Sequence, residues 1–243
     1  MARLPRLYIP GVAQHVIQRG NNRQVCFNSN QDMAAYAYWL HEAATKFGVY
    51  IHAWVFMTNH VHLLVTAKTD KSIPSAMQHL GRIYVRYYNR EYRRSGTLWE
   101  GRYKACLVQD ERYFLECSRY IELNPVRANM VNDPAEYRWS SYRCNAFGRQ
   151  SKLHTPHDEY LALGGTDTER QAAYRDLFRA HVESTVIAEI RDAVNQGLVL
   201  GNDRFKDEVE ANLDRSVRPG KSGRPKKVED GMIEDKDQLK IFI

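Results

Sequence analysis

The chain has 243 residues, of which 43% are hydrophobic, and a formal net charge of +6 with an isoelectric point near 9.1. This composition suits one good-sized globular domain with a smaller appendage, and the positive charge favours polyanionic partners. It excludes a membrane-spanning segment and an apolar secretory signal, and the four cysteines have neither disulfide-framework nor zinc-site spacing, so we expect a cytoplasmic protein with reduced thiols.

The first predicted elements are a strand, a loop and a helix. Residues 14–19 alternate weakly in polarity and run into a turn-prone cluster at 20–23, which predicts a strand followed by a tight loop. In residues 31–47 the apolar positions recur every three or four residues, and Gly48 follows where a helix terminator belongs. We therefore expect a helix over 31–47.

Two apolar strands are predicted next, at residues 49–57 and 60–67, with a polar Thr58-Asn59 step between them. Because side chains alternate along a strand, His60 and His62 should lie on one face with α-carbons roughly 6.5 to 7 Å apart. Two imidazoles at this spacing can share one divalent cation. The pair equally fits ordinary histidines on the surface of a sheet.

A second helix is predicted to begin near Ser72 or Pro74 and to end before Ser95, followed by a short strand at 104–109 and a third helix at 111–123. The order β, α, β, β, α, β, α is that of a split β-α-β unit, an α+β fold of the ferredoxin-like or RRM-like kind. We expect an antiparallel sheet with helices on one face and the other face free for a ligand.

The third helix has Asp110 as its expected N-cap, and Asn124-Pro125 should stop it. Tyr120 and Asn124 lie four residues apart and therefore share one helical face. A tyrosine can attack phosphorus while a divalent metal neutralises the phosphate, which would cut DNA through a covalent phosphotyrosine. The competing interpretation of Tyr120 is an aromatic residue of the core.

The composition changes after the first 150 residues, which we predict to form one domain. Residues 151–214 carry helical patterns, and the pair of helices between 183 and 213 fits either a helix-turn-helix or two helices packed against the first domain. Residues 215–243 are basic and then acidic, which predicts a flexible tail. Its Gly223-Arg224-Pro225 step is typical of a hook that binds the minor groove.

Four motifs together identify a family resemblance: T-N-H-V-H-L-L-V, L-W-E-G-R-Y, Y-I-E-L-N-P-V-R-A and Y-R-W-S-S-Y. With them the chain resembles the HUH single-tyrosine transposases of the IS200-like class, and more narrowly the REP-associated tyrosine transposases. The resemblance covers about residues 3–148, with further similarity in the C-terminal G-N-D-R-F and G-R-P-K-K stretches. It implies the HUH fold followed by a C-terminal helical region.

The resemblance also implies the site residues. His60 and His62 would be the HUH pair and Tyr120 the nucleophile, with Asn124 as the third ligand of Mg²⁺ or Mn²⁺. Many members of the family have glutamine at this last position. Tyr113, seven residues before Tyr120 on the same helix face, is the rival nucleophile.

Basic and aromatic residues interleave between Arg82 and Lys104, a pattern typical of surfaces that bind single-stranded DNA. Arginines would meet phosphates, and exposed rings such as Trp99 would stack on bases. The competing interpretation places Tyr84 and Tyr88 in the core. The candidate DNA-binding residues are Arg3, Arg6, Arg19, Asn22, Arg23, Arg82, Arg86, Arg90, Arg93, Arg94, Trp99, Arg102, Lys104, Arg127, Arg218, Lys221, Arg224, Lys226 and Lys227.

The expected function is therefore that of a metal-dependent endonuclease and strand transferase that acts on single-stranded, hairpin or REP-like DNA through a 5′-phosphotyrosine intermediate. The first alternative is a catalytically silent protein that binds DNA hairpins and regulates their use. The second is a zinc hydrolase, although no carboxylate or third histidine lies at ligand spacing near the histidine pair. A monomer and a homodimer both remain open.

Overall fold

One five-stranded sheet organises the computed structural model, which describes residues 6–179 and 182–218. Its strands, in chain order, are β1 (Ala13–Arg19), β2 (Val49–Met57), β3 (His60–Ala67), β4 (Lys104–Val108) and β5 (Val199–Leu200). The spatial order is β2-β3-β1-β4-β5; the pairs are antiparallel except for β4 with β5, which is parallel. The predicted α+β class is confirmed.

Helices separate and follow these strands. They are α1 (Asn30–Phe47), α2 (Ser72–Glu91), α3 (Arg112–Glu122), α4 (Asn124–Arg127), α5 (Tyr142–Phe147), α6 (Asp158–Leu161), α7 (Asp167–Arg179), α8 (Ser184–Gln196) and α9 (Asp203–Leu213). No helix in the described ranges has the length and apolar character needed to cross a membrane.

Local signals placed most element boundaries correctly. Helix α1 begins with a capping box between Ser29 and Asp32, and it ends at Gly48, whose φ of 68° is the left-handed conformation that glycine adopts at low cost. The polar Thr58-Asn59 step is the turn between β2 and β3. These strands form the hairpin that carries both histidines.

The boundaries of α3 differ from the prediction. The residue before the helix is Glu111, with a φ of 61° and no side-chain capping bond, so Asp110 is not the N-cap. Asn124-Pro125 ends α3 as predicted, but it also opens the short helix α4. Proline is tolerated there because the first turn of a helix has no partner for its N–H.

Both faces of the sheet are covered. Val61 and Leu63 lie with α1 and α2 in one core, whereas Val55 and Leu64 on the other face pack against residues of α3 and α8 such as Ile190. The prediction of a bare sheet face is therefore wrong. The second face is itself apolar, and burying it under α3 and α8 removes that surface from water.

The strand β5 comes from the region that we predicted to be purely helical. Its two residues, Val199 and Leu200, pair with Leu107 and Val108 of β4. Two residues are too few for periodicity to reveal a strand. This pairing, together with the packing of α8, joins the later part of the chain to the sheet.

Candidate active site and DNA-binding groove

His60 and His62 lie on one face of β3, as the alternation predicted, and their ring centroids are 5.0 Å apart. The Nδ1 atom of His60 donates to Oδ1 of Asn59 at 2.6 Å, and Nδ1 of His62 is 2.8 Å from Nε2 of His15. Among the described residues, neither Nε2 atom makes a hydrogen bond. Each ring is thus held through Nδ1 and has Nε2 available for a ligand.

The surroundings keep both imidazoles neutral. Burial, assisted by the positive charge of Arg19, lowers the pKa of His60 to about 4. Burial also lowers the pKa of His62 well below its usual value, and the neighbouring His15 acts in the same direction. A neutral imidazole is the form that coordinates a metal ion.

Tyr120, on α3, lies next to His62. Its side chain is only 4% exposed, and its ring centroid is 5.8 Å from that of His62 and 5.8 Å from that of His15, edge to face in both cases. The structure therefore brings a phenol to the histidine pair within one chain. Its hydroxyl makes no hydrogen bond to any part of the chain that the structure describes.

Tyr113, the rival nucleophile, is half-buried near the start of α3. Burial, and after it the charge of Glu189, raises the pKa of its hydroxyl. Among the described residues its ring has no contact with a histidine ring, whereas the ring of Tyr120 has two. The geometry therefore favours Tyr120 over Tyr113 as the candidate nucleophile.

Asn124 is the first residue of α4, one turn after Tyr120. Its Nδ2 donates to the backbone oxygens of Tyr120 at 3.1 Å and Ile121 at 3.2 Å, which leaves Oδ1 as a possible ligand. Two neutral imidazole nitrogens and an amide oxygen are donors that a divalent cation can accept: imidazole is a ligand of first-row transition metals, and carbonyl oxygen is a ligand of Mg²⁺ and Mn²⁺. Within the described ranges, no group of three or more His, Cys, Asp or Glu side chains is arranged to hold a metal.

Arg127 places a positive charge beside Tyr120. Its Nη2 donates to the Tyr120 backbone oxygen at 2.6 Å, and its Cζ lies 4.3 Å from the centroid of the Tyr120 ring. The Nε and Nη1 atoms are buried with no hydrogen-bond partner among the described residues. Burial lowers the pKa of Arg127 to about 10, so the side chain remains a cation at neutral pH.

A groove of about 770 Å³ runs between α2 and the segment that leads into β4. Apolar side chains form part of its lining, including Met77, Val85 and Tyr103. Several of the predicted DNA-binding arginines also line it: Arg6, Arg82, Arg86 and Arg102. We call this feature the α2 groove.

A smaller cavity adjoins the α2 groove and shares Gln18, Gly101 and Arg102 with it. Its other lining residues include Arg19 and Lys104. Arg19 pairs with His60 across β1 and β3, so this cavity reaches the strand position opposite the histidine pair. Its lining also contains the acidic Glu100.

Other predicted DNA-binding residues lie at the surface or have partners within the protein. Asn22 and Arg23 are exposed in the turn after β1, and Arg94 donates to Gln24. Arg218 makes ion pairs of 2.6 Å with Asp207 and Glu210, so its charge is neutralised locally. Arg90 and Arg93 are exposed. The predictions for Arg3, Lys221, Arg224, Lys226 and Lys227 lie outside the described residues.

The prediction of an exposed Trp99 is wrong. The side chain is 8% exposed, and its ring stacks on Tyr84 with centroids 5.9 Å apart. Tyr84 and Tyr88 lie in the same core, as the competing interpretation predicted. The indole ring packs into the apolar core beneath α2. It therefore forms part of the floor of the α2 groove and does not project from the surface.

Two residues of the site region were missed by the sequence analysis. His15 is fully buried and bonded to His62, yet only the pairing of β1 with β3 brings the two together. Glu122 follows Tyr120 by two residues and is also fully buried, with Ser141, Asn145 and Tyr174 as donors to its carboxyl group. Burial raises the pKa of Glu122 to about 7.

Comparison with known proteins agrees with this architecture. The sequence profile of the family described as "Transposase IS200 like" matches residues 9–124. The solved structure of a REP-associated tyrosine transposase bound to a REP hairpin aligns with a TM-score of 0.52 and 18% identity, covering 65% of this chain and 93% of that one. At this identity the likeness concerns the fold.

A second solved structure, of a protein from Deinococcus radiodurans R1 assigned as a transposase, aligns with a TM-score of 0.35 and 22% identity. The alignment covers 53% of this chain and 92% of that one. No significantly similar sequence was found among curated proteins.

Proposed function

Because the IS200-like transposase profile matches residues 9–124, we propose that this chain is a member of that family and that it cuts and rejoins single-stranded DNA through a covalent bond to Tyr120. The observation that carries this proposal is the meeting of the Tyr120 ring with the His62 ring at 5.8 Å, beside the guanidinium of Arg127. A nucleophile, two metal ligands and a phosphate-binding cation then share one site.

The proposed reaction replaces one phosphorus–oxygen bond with another. The phenolic oxygen of Tyr120 loses its proton as it attacks phosphorus, and the bond to the 3′ oxygen of the upstream strand breaks. That oxygen takes up a proton and leaves as a free 3′-hydroxyl, while the phosphate at the 5′ end of the downstream strand stays bound to Tyr120 as a phosphotyrosine. A 3′-hydroxyl can attack this linkage later and rejoin strands, because the phosphotyrosine is itself a phosphodiester and has not been hydrolysed. A Mg²⁺ or Mn²⁺ ion held by His60, His62 and Asn124 would supply Lewis-acid polarisation of the phosphate.

The protein's own side chains would orient the DNA. The unused donors of Arg127 suit a phosphate oxygen next to Tyr120, where a guanidinium favours the added charge of the transition state. The α2 groove offers arginines for backbone phosphates and an apolar lining for bases. A hairpin substrate is supported by the ligand of the REP-associated transposase whose fold this chain shares.

The decisive experiment mixes the protein with a labelled hairpin oligonucleotide and Mg²⁺ and detects a protein–DNA adduct that survives denaturation. We expect the wild type to form the adduct and Tyr120→Phe to bind the DNA without forming it, because only the attacking oxygen is removed. Tyr113→Phe is the matched control on the same helix and should still form the adduct.

An undiminished adduct in Tyr120→Phe, or its loss in Tyr113→Phe alone, would place the nucleophile elsewhere. Tight hairpin binding by the wild type with no adduct under any metal condition would favour the silent binding protein instead.

A further inference from the structure

A third histidine, His15, belongs to the site region but has no part in the reaction described above. It lies on β1, opposite β3, and its side chain is 0% exposed. Its ring stacks on His62 with centroids 5.1 Å apart and an interplanar angle of 20°, and it meets the ring of Tyr120 at 5.8 Å. His15 is thus packed against both the proposed ligand and the proposed nucleophile.

The hydrogen bond between the two histidines decides where the proton of His62 lies. If Nε2 of His62 binds a cation, that nitrogen carries no proton, so the neutral ring has its proton on Nδ1. The Nδ1–H group of His62 then donates to Nε2 of His15, 2.8 Å away. His15 must accept this bond and carry its own proton on Nδ1.

The opposite arrangement would block the site. If Nε2–H of His15 donated to Nδ1 of His62, the proton of His62 would lie on Nε2, where a cation has to bind. The bond to His62 is also the one hydrogen bond of the His15 side chain within the described ranges, since its Nδ1 is buried there without a partner. Within those ranges, no other hydrogen bond sets the orientation of the His15 ring.

From this geometry we propose that His15 is a positioning residue, which holds His62 in the ring orientation and tautomer that present Nε2 to a divalent cation. The inference rests on the metal site of the proposed function. Asn59 does the same for His60, through its bond to Nδ1. Outer partners of this kind orient metal ligands in many proteins, and their loss typically weakens metal binding.

The test measures Mn²⁺ binding to the full chain without DNA, from the loss of the free-ion EPR signal. We expect His15→Leu to weaken Mn²⁺ binding roughly 10- to 100-fold, because His62 loses its partner. His15→Gln should bind nearly as well as the wild type, since its side-chain oxygen can accept the Nδ1–H bond. Wild-type affinity in a folded His15→Leu protein would overturn the proposal.

Two controls separate this inference from the proposed function. His52→Gln changes another buried histidine, which bonds to Thr66 and Thr155 instead of the site, and it should leave Mn²⁺ affinity unchanged. His60→Ala should abolish binding. If His60→Ala loses Mn²⁺ and His15→Leu does not, only the role of His15 fails; if neither variant differs from the wild type, or the wild type binds no Mn²⁺, both proposals fail.

A spectroscopic measurement covers the case in which His15→Leu does not fold. In ¹⁵N NMR spectra of the wild type with Mg²⁺, we expect the protonated nitrogen of His62 to be Nδ1, with the bond to His15 intact. A proton on Nε2 of His62 in the Mg²⁺-bound protein would overturn the inference.

Discussion

Arg127 lies where α4 meets Tyr120, and its guanidinium has more donors than the protein uses. One nitrogen bonds to the Tyr120 backbone, whereas Nε and Nη1 are buried with no partner among the described residues. An unsatisfied buried donor costs about 1–3 kcal/mol, and a bound phosphate would recover that cost. At the scale of the residue, the free protein therefore holds a donor pair suited to an anion.

We expect Arg127→Gln to slow adduct formation by roughly 10²- to 10³-fold, the usual effect of removing one donor to transition-state charge. The measurement is the single-turnover rate with a saturating hairpin oligonucleotide. Arg112→Gln is the matched control, because this exposed arginine begins α3 and pairs with Glu116. Equal single-turnover rates in the two variants would show that Arg127 does not stabilise the transition state.

At the scale of the element, α3 holds Tyr120 against the sheet, and Glu122 fixes α3 through hydrogen bonds to later parts of the chain. The Glu122 carboxyl accepts from Tyr174 of α7 at 2.9 Å and from Asn145 of α5 at 3.0 Å, as well as from Ser141. These bonds tie α3 to two later helices. Burial nevertheless outweighs the three donors and raises the pKa of Glu122 to about 7.

This anchor should make stability depend on pH. The folded pKa of Glu122, about 7, lies above the ordinary value of 4.5, so the folded protein holds this proton more tightly than the unfolded chain does. The protonated Glu122 therefore stabilises the folded protein fully below about pH 4.5, and this stabilisation is lost as pH rises through 7. The free energy of unfolding should fall by about 3 kcal/mol over that range.

Glu122→Gln stays neutral at every pH, and the difference in unfolding free energy between it and the wild type should change by that amount across this range. Denaturant unfolding at several pH values measures it, with Glu42→Gln as a control for the loss of an exposed carboxylate. Parallel pH profiles for the wild type and Glu122→Gln would contradict the prediction.

At the scale of the whole molecule, two sets of arginines differ in whether a carboxylate neutralises them. Arg112, Arg179 and Arg204 each pair with a carboxylate one turn away on their own helix. Among the described residues, Arg82, Arg86 and Arg102 of the α2 groove form no ion pair. These three arginines therefore bring unneutralised positive charge to the α2 groove.

Replacing Arg82, Arg86 and Arg102 together with alanine should weaken binding of single-stranded DNA and flatten its salt dependence. Each lost phosphate contact removes about 0.7 from the slope of log K against log salt, so we expect a change of about 2. Fluorescence anisotropy at several salt concentrations measures this slope. The triple variant of Arg112, Arg179 and Arg204 removes the same net charge and should keep the wild-type slope.

Local sequence determined the elements from β1 to α3 and the identity of the candidate ligands. The apolar spacing in α1, the glycine that ends it and the alternation in β3 depend on neighbours along the chain, so they could be read without a structure. His60, His62, Tyr120 and Asn124 were predicted in this way, with the help of a family resemblance.

Only the tertiary structure decided what surrounds those residues. The bond between His15 and His62 depends on strand register, the burial of Trp99 depends on Tyr84, and the cover over the second sheet face comes from α8, far along the chain. Strand pairing and burial join residues that no periodicity links. The protonation, orientation and accessibility of each side chain follow from that packing, because they depend on the neighbours in space.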